Sequence, residues 1–285
     1  MSQPPPRSSA PHPDQIGHTE SPALSSLSYR PRPASAREAK RAKTQPERDA
    51  DAQPVAVARS LVKAELEVKR RKALERREHV ADVRERLPSA ESSTVPGLMY
   101  LSRFLLPSEE RELLRHIDEA PWLNSLRRRV QHCGWRYNYK ERSVSADDYI
   151  GPLPGWMANI VRRLVVCGVV SRETVLDQAI VNEYLPGQGI APHVDQPCMF
   201  GDEVVMVSMG SPTTMDFDPT RSAGAAEPQH IRLEPSSVAR VRGDARYKWK
   251  HGIAARRSDP TWPGKGAPRV PRQRRVSLTF RSIQK

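Results

Sequence analysis

In the stretch VNEYLPGQGIAPHVDQPC, Val181 to Cys198, two residues of metal-binding type, His193 and Asp195, stand two apart just after a turn built from Pro and Gly. Residues two apart on an extended chain face the same way, so an imidazole nitrogen and a carboxylate oxygen are presented together, two legs of a metal tripod. A second histidine from elsewhere would complete a face of two histidines and one carboxylate, which leaves the opposite coordination positions open to substrate and dioxygen. His251, in RYKWKHGI, is the best placed, because it ends a segment of strand character and precedes a glycine that permits close approach. The other histidines lie in a Pro-rich tail (His12, His18), in helical segments (His79, His116), beside Cys133 (His132) or after an acidic loop (His230). By itself a His-x-Asp pair is an ordinary coincidence, and two polar residues ending a turn is the commoner reading.

A second chemistry is written in RVSLTFR, where Arg275, Ser277, Thr279 and Arg281 share one face of a strand and Val276, Leu278 and Phe280 the other. At about 3.3 Å per residue the two arginine Cα atoms are about 20 Å apart, and inward-reaching side chains leave a gap of about 7 Å, the length of a small dicarboxylate. Guanidinium groups clamp carboxylates well. The same pattern also describes a plain amphipathic strand with its polar face in water. Asn182 and Tyr184 share a face of the strand leading to His193, and each offers a donor to an anionic ligand, although a strand tyrosine is equally at home half-buried.

These residues need a scaffold. From Asp177 onward short segments rich in Val, Ile, Met and Thr are broken by Gly, Pro and Asp: QAIVNEY, DEVVMVSMG, TTMDF, HIRLE, SVARV, RYKWKHG and RRVSLTFR. Such spacing predicts antiparallel strands in a two-sheet sandwich or jelly roll. Upstream, Ser108 to Glu119 predicts a helix capped by Ser108 and stopped by Pro121, and Gly155 to Val166 a second amphipathic helix. Ser60 to Leu87 has neither Gly nor Pro and carries Glu/Lys and Glu/Arg pairs at helical spacing, which predicts a long, solvated helix. The fold class is thus mainly β with flanking helices, in three parts: a disordered Pro/Ser-rich basic tail at 1–57, a charged helix and linker at 58–95, and one domain at 96–285.

The net charge of +13 favours a polyanionic partner, and solubility alone is the plainer reading of the same excess. Three scattered cysteines match no zinc spacing and suit a reducing, intracellular compartment, cytoplasmic or nuclear; Arg30 to Lys43 is a candidate nuclear import signal. No run is apolar enough for a membrane span or a secretory signal, so no membrane partner is expected, and the protein is expected to act as a monomer.

Taken together and in this order, NEYLPGQGIAPHVD, GDARYKWKHGI and RRVSLTFR resemble the AlkB-like Fe(II)/2-oxoglutarate dioxygenases, and the similarity extends upstream through GLMYLSRFLLPSEERELL and RRVQHCGWRYNY, about Gly97 to Arg281. The resemblance implies a double-stranded β-helix with Fe(II) held by His193, Asp195 and His251 and with 2-oxoglutarate as cosubstrate. Arg275, helped by Tyr184, would take the distal carboxylate, while Arg281 and Asn182 lie near the iron-bound end; Ser277 stands where family members often have asparagine. The implied reaction couples decarboxylation of 2-oxoglutarate by dioxygen to hydroxylation of a C–H bond, releasing formaldehyde when that carbon is an N-methyl group.

In this family the segment corresponding to Arg128–Lys140 forms a nucleotide-recognition lid. Here Trp135, Tyr137 or Tyr139 could stack on an extruded base, with Arg128, Arg129, Arg136 and Lys140 near phosphates. A hairpin that packs its aromatics on the core is the competing reading. Several repair members follow the metal motif with acidic residues, whereas this chain continues HVDQPCMFGD, and Pro197 offers no carboxylate to an exocyclic amine. The leading expectation is oxidative demethylation or hydroxylation of nucleic-acid bases; the alternatives are oxidation of protein side chains and a non-catalytic binding module on the same fold.

Overall fold

A computed structural model describes residues 45–124, 126–261 and 266–284. The chain divides between Arg59 and Ser60 into two compact units. Within the first, the described part is helical and opens helix α1, Gln45–Arg86, which therefore starts well before the predicted Ser60. Residues 45–57, assigned to the tail by composition, are helical: Pro46 stands in the first turn, where its missing N–H is not needed, while Pro54 falls inside the helix, where composition predicts a break. The rest of the expected tail, including Arg30–Lys43, lies outside the described residues.

The second unit holds the remainder of α1, then strand β1 (Leu98–Leu101), helix α2 (Pro107–Glu119), β2 (Val130–Cys133), α3 (Gly155–Cys167), β3 (Gln178–Tyr184) and β4 (Ile190–His193). It continues with β5 (Val204–Gly210), β6 (Thr213–Pro219), β7 (Gln229–Leu233), β8 (Ser237–Val241), the short helix α4 (Gly243–Tyr247), β9 (Trp249–Ile253), β10 (Ser258–Pro260), β11 (Arg269–Pro271) and β12 (Arg275–Arg281). A six-stranded sheet in the order β1-β8-β5-β12-β3-β2 accompanies a four-stranded sheet in the order β4-β9-β6-β7; every pairing is antiparallel, and β10 and β11 form a separate ribbon. This is the predicted double-stranded β-helix.

Alternation along the strands sorts side chains between two apolar layers. Val276, Leu278 and Phe280 of β12 join Ala179, Val181, Val205 and Val207 beneath α2 and α3, whereas Met206, Ala239 and Val241 meet Met215, Phe217 and Trp249 between the sheets. The last turns of α1 dock on the first layer through fully buried Val83, with Arg86 Nη1 donating to Ser102 O at 2.8 Å. Two sequence expectations change. Ser108 does not cap α2; the Glu109 carboxylate accepts the Leu106 N–H at 3.0 Å and also pairs with Arg163 of α3, so the acidic side chain is the better placed acceptor. Glu110 accepts the Gly210 N–H at the end of β5 at 2.8 Å and so fastens α2 to the sheet. Within the predicted strand RYKWKHG, Arg246 and Tyr247 belong to α4, and β9 begins at Trp249.

Because the helices seal the outer face of the six-stranded sheet, truncating a fully buried contact there removes apolar burial and leaves a void. Leu164→Ala in α3 is expected to lower unfolding free energy by about 2–5 kcal/mol, read as a shifted midpoint in chemical denaturation.

Candidate functional site

β4 and β9 pair so that His193 lies directly opposite His251, and their ring centroids are 4.5 Å apart. The close approach depends on Gly252, where an added Cβ would stand 2.9 Å from the Pro192 backbone. Asp195 is not on the strand, which ends at His193. It is turned inward all the same, 5% exposed, with Oδ1 in an ion pair with Arg281 Nη2 at 2.7 Å. One ligand atom from each of His193, Asp195 and His251 falls within 4.8 Å of the others.

The protonation states suit a divalent metal. Burial lowers the His251 pKa to about 4, with Asp195 only partly opposing it, so the ring is neutral with a free lone pair. Burial works against the Asp195 carboxylate, but the Arg281 guanidinium, with Arg246 further off, holds it below the usual carboxylate range. Its Oδ2 is buried without a hydrogen-bond partner, 3.6 Å from His251 Nε2. His193 Nδ1 is engaged by Ala191 O at 2.9 Å, which makes Nδ1 the protonated nitrogen and leaves Nε2 as donor to a metal. The neutral His251 ring, His193 with its Nε2 left free, and an orphaned carboxylate oxygen therefore fit an Fe(II) ion.

The polar face of β12 does not meet water: Arg275, Ser277 and Thr279 are 3%, 4% and 7% exposed. Across the sheet Arg275 is in register with Tyr184, and Ser277 with Asn182 on one side and Ser208 on the other. Arg275 Nη2 donates to Ser208 Oγ at 2.8 Å and the guanidinium lies 5.2 Å from the Tyr184 ring, but Nε and Nη1 have no partner. Burial depresses the pKa of this cation. A buried cation with two idle donors is matched in charge and hydrogen bonding by a carboxylate. At the other end Arg281 lies over the Phe200 ring at 4.5 Å and keeps Nε unpartnered. The residues present thus fit the two ends of 2-oxoglutarate.

On the lid segment the expected residues separate. Arg128 Nε donates to Asn182 Oδ1 at 2.9 Å, Tyr137 lies 6.1 Å from Phe200 and 5.0 Å from Tyr139, and the Tyr139 hydroxyl is buried without a partner. Arg129 instead pairs with Glu183 and stacks on Trp122 at 4.6 Å. Trp135 lines another cavity, with Tyr149, Leu153, Val161 and Leu176, and its indole donates to Asp177 Oδ2 at 3.2 Å. Arg136 and Lys140 are exposed.

Sequence reasoning passed over His132, Phe200, Ser208 and Arg246. His132 accepts the Tyr137 N–H through Nδ1 at 2.9 Å, and burial, aided by Arg136 and Arg281, lowers its pKa to about 4, so it stays neutral. Ser208 was detectable as a polar residue on the inward face of VVMVSMG.

Two outcomes test this geometry. Arg275→Gln should raise the 2-oxoglutarate concentration for half-saturation by about 10–100-fold while leaving Fe(II) binding alone intact, measured by calorimetry, since hydrogen bonds to charged groups contribute about 1.5–3 kcal/mol. Gly252→Ala should weaken metal binding in a folded protein; wild-type affinity would show that the β4–β9 approach does not set the site.

The model of the 2OG-Fe(II) oxygenase superfamily matches residues 97–281. Uncharacterized protein L905 of Acanthamoeba polyphaga mimivirus is 31% identical over 192 residues, which cover 66% of this chain and 86% of that protein. The tRNA (carboxymethyluridine(34)-5-O)-methyltransferase alkbh8 of Xenopus tropicalis is 36% identical over 172 residues, 59% of this chain and 26% of that one. The alkylated DNA repair protein ALKBH8 homolog of Arabidopsis thaliana is 31% identical over 209 residues, covering 67% and 59%. The match thus spans about a quarter of the frog relative and under two thirds of the plant one. This chain belongs to the 2OG-Fe(II) oxygenase superfamily as an AlkB-like dioxygenase that uses Fe(II) and 2-oxoglutarate.

Proposed function

We propose that the enzyme oxidises alkylated bases of nucleic acid, hydroxylating an alkyl carbon and, for N-methyl substrates, releasing formaldehyde. His193, Asp195 and His251 hold the iron. Arg275, with Tyr184 and Ser208 beside it, receives the distal carboxylate of 2-oxoglutarate, while Arg281, Asn182 and Ser277 line the path toward the metal. When bound, Fe(II) and 2-oxoglutarate supply the oxidising chemistry: dioxygen converts the cosubstrate to succinate and carbon dioxide and leaves one oxygen for the substrate C–H bond.

The protein's own contribution is to bind and orient. No side chain need act as acid or base in the oxidation, and the hemiaminal formed from an N-methyl group collapses by itself to formaldehyde and the free base. The observation that carries the substrate class is the grouping of Arg128, Tyr137 and Tyr139 beside the cosubstrate residues, a cation and two aromatic rings suited to phosphate and base. The net charge of +13 supports a polyanionic substrate. So do the names of two relatives, one a tRNA-modifying enzyme and one an alkylated-DNA repair protein.

A mass-spectrometric screen of methylated DNA, RNA and peptide pools tests the proposal. The expected result is loss of a methyl group or gain of one oxygen on nucleic acid, abolished by His193→Ala and Asp195→Ala along with succinate formation. Oxidation confined to peptides would overturn it. Tyr137→Ala or Tyr139→Ala should reduce base oxidation at least about tenfold, with a smaller effect on succinate formed without substrate, in line with about 1–3 kcal/mol per stacked base.

A further inference from the structure

Arg246 is a buried cation in the segment that leads to His251, and it belongs neither to the iron ligands nor to the cosubstrate residues. It lies in α4, is 2% exposed, and burial lowers its pKa while Asp195 acts to keep it charged. Its hydrogen bonds go to main-chain carbonyls on one short turn: Nη1 donates to Asp195 O at 2.6 Å, Nη2 to Phe200 O at 3.1 Å and Gln196 O at 3.3 Å, and Nε to Gly201 O at 3.2 Å. Burying a guanidinium is costly unless its donors are satisfied, so this set of carbonyls must hold its arrangement for the arginine to remain where it is.

The gripped turn, residues 195–201, meets three parts of the site. Its first residue is the carboxylate that faces His193 and His251. Phe200 lies beneath the Arg281 guanidinium, and Arg281 in turn holds Asp195 Oδ1. On the lid side, Gln196 Nε2 donates to Arg142 O at 3.0 Å and Phe200 lies by Tyr137. Asp195 stands beyond the end of β4, so strand pairing does not orient it. Arg246 does so from behind, by its hydrogen bonds and by its charge.

We propose that Arg246 is a positioning residue for the iron site, fixing the 195–201 turn so that the Asp195 carboxylate is aimed at the metal and Phe200 is set under Arg281. This rests on the reading of His193, Asp195 and His251 as iron ligands. Lysine in its place would keep the charge but could not reach four carbonyls in a planar fork.

The test is an anaerobic Fe(II) titration at saturating 2-oxoglutarate, followed by the weak visible charge-transfer band of the chelate, on wild type, Arg246→Lys, Arg246→Ala and Asp195→Ala, with circular dichroism to monitor folding. Arg246→Ala is expected to raise the half-saturating Fe(II) concentration by about 10–100-fold, the range for losing a group that orients a metal ligand. Arg246→Lys should fall between it and wild type, and added methylguanidinium should recover part of the loss. A folded Arg246→Ala with wild-type half-saturation, even at a lower melting temperature, would overturn the proposal, since that is what a merely structural role produces. If Arg246→Ala fails to fold, Arg246→Lys decides, and wild-type affinity there overturns it. Absence of the band in wild type would instead contradict the iron reading itself and remove the basis of the proposal.

Discussion

An ionised carboxylate cannot sit in a protein interior without cations around it, and Asp195 is such a group. Arg281 reaches it from β12 of the six-stranded sheet, His193 and His251 face it from the four-stranded sheet, and Arg246 holds its backbone from α4. Each protein neighbour settles one part of the group, yet Oδ2 remains without a hydrogen bond. The two sheets therefore converge on a site in which the carboxylate keeps one oxygen free beside two imidazoles, the donor set that takes Fe(II) in this superfamily.

The same logic extends along the interior. Between the sheets β12 buries Arg275, and a guanidinium with two idle donors is as unsettled as a carboxylate with an idle oxygen. On the proposed assignment, the dicarboxylate and the metal would answer complementary deficits at opposite ends of one strand. Such a polar interior is tolerable because the apolar work is done elsewhere: Val276, Leu278 and Phe280 of the same strand are packed beneath the helices. Glu109 and Glu110 fix α2 at that outer face, to Arg163 of α3 and to the end of β5, so that the helices brace the sheet carrying the arginines.

Much of this is legible in the sequence, because strand alternation turns residue type into sidedness. QAIVNEY and RRVSLTFR were recognisable as strands, and Asn182, Tyr184, Arg275 and Ser277 fall on the face that alternation predicts. Three features are hidden in the sequence for identifiable reasons. RYKWKHG alternates like a strand, but over so few residues a helical turn fits as well, so Arg246 was read as a strand residue and its grip on the 195–201 turn was invisible. Trp135, Tyr137 and Tyr139 would share one face of a continuous strand; instead the chain bends at Gly134, whose φ of +78° and close approach to Asp177 O exclude a side chain, and Trp135 leaves the other two. Asp195 was matched to His193 by two-residue spacing, whereas its direction comes from arginines distant in sequence.

Crystals grown anaerobically with Fe(II) and 2-oxoglutarate, with diffraction recorded at the iron absorption edge, address the central claim most directly. The account predicts anomalous density bounded by His193, Asp195 and His251, with the distal carboxylate of 2-oxoglutarate on Arg275 Nε and Nη1. Iron bound elsewhere, or a cosubstrate carboxylate that leaves both of those nitrogens unpaired, would contradict it.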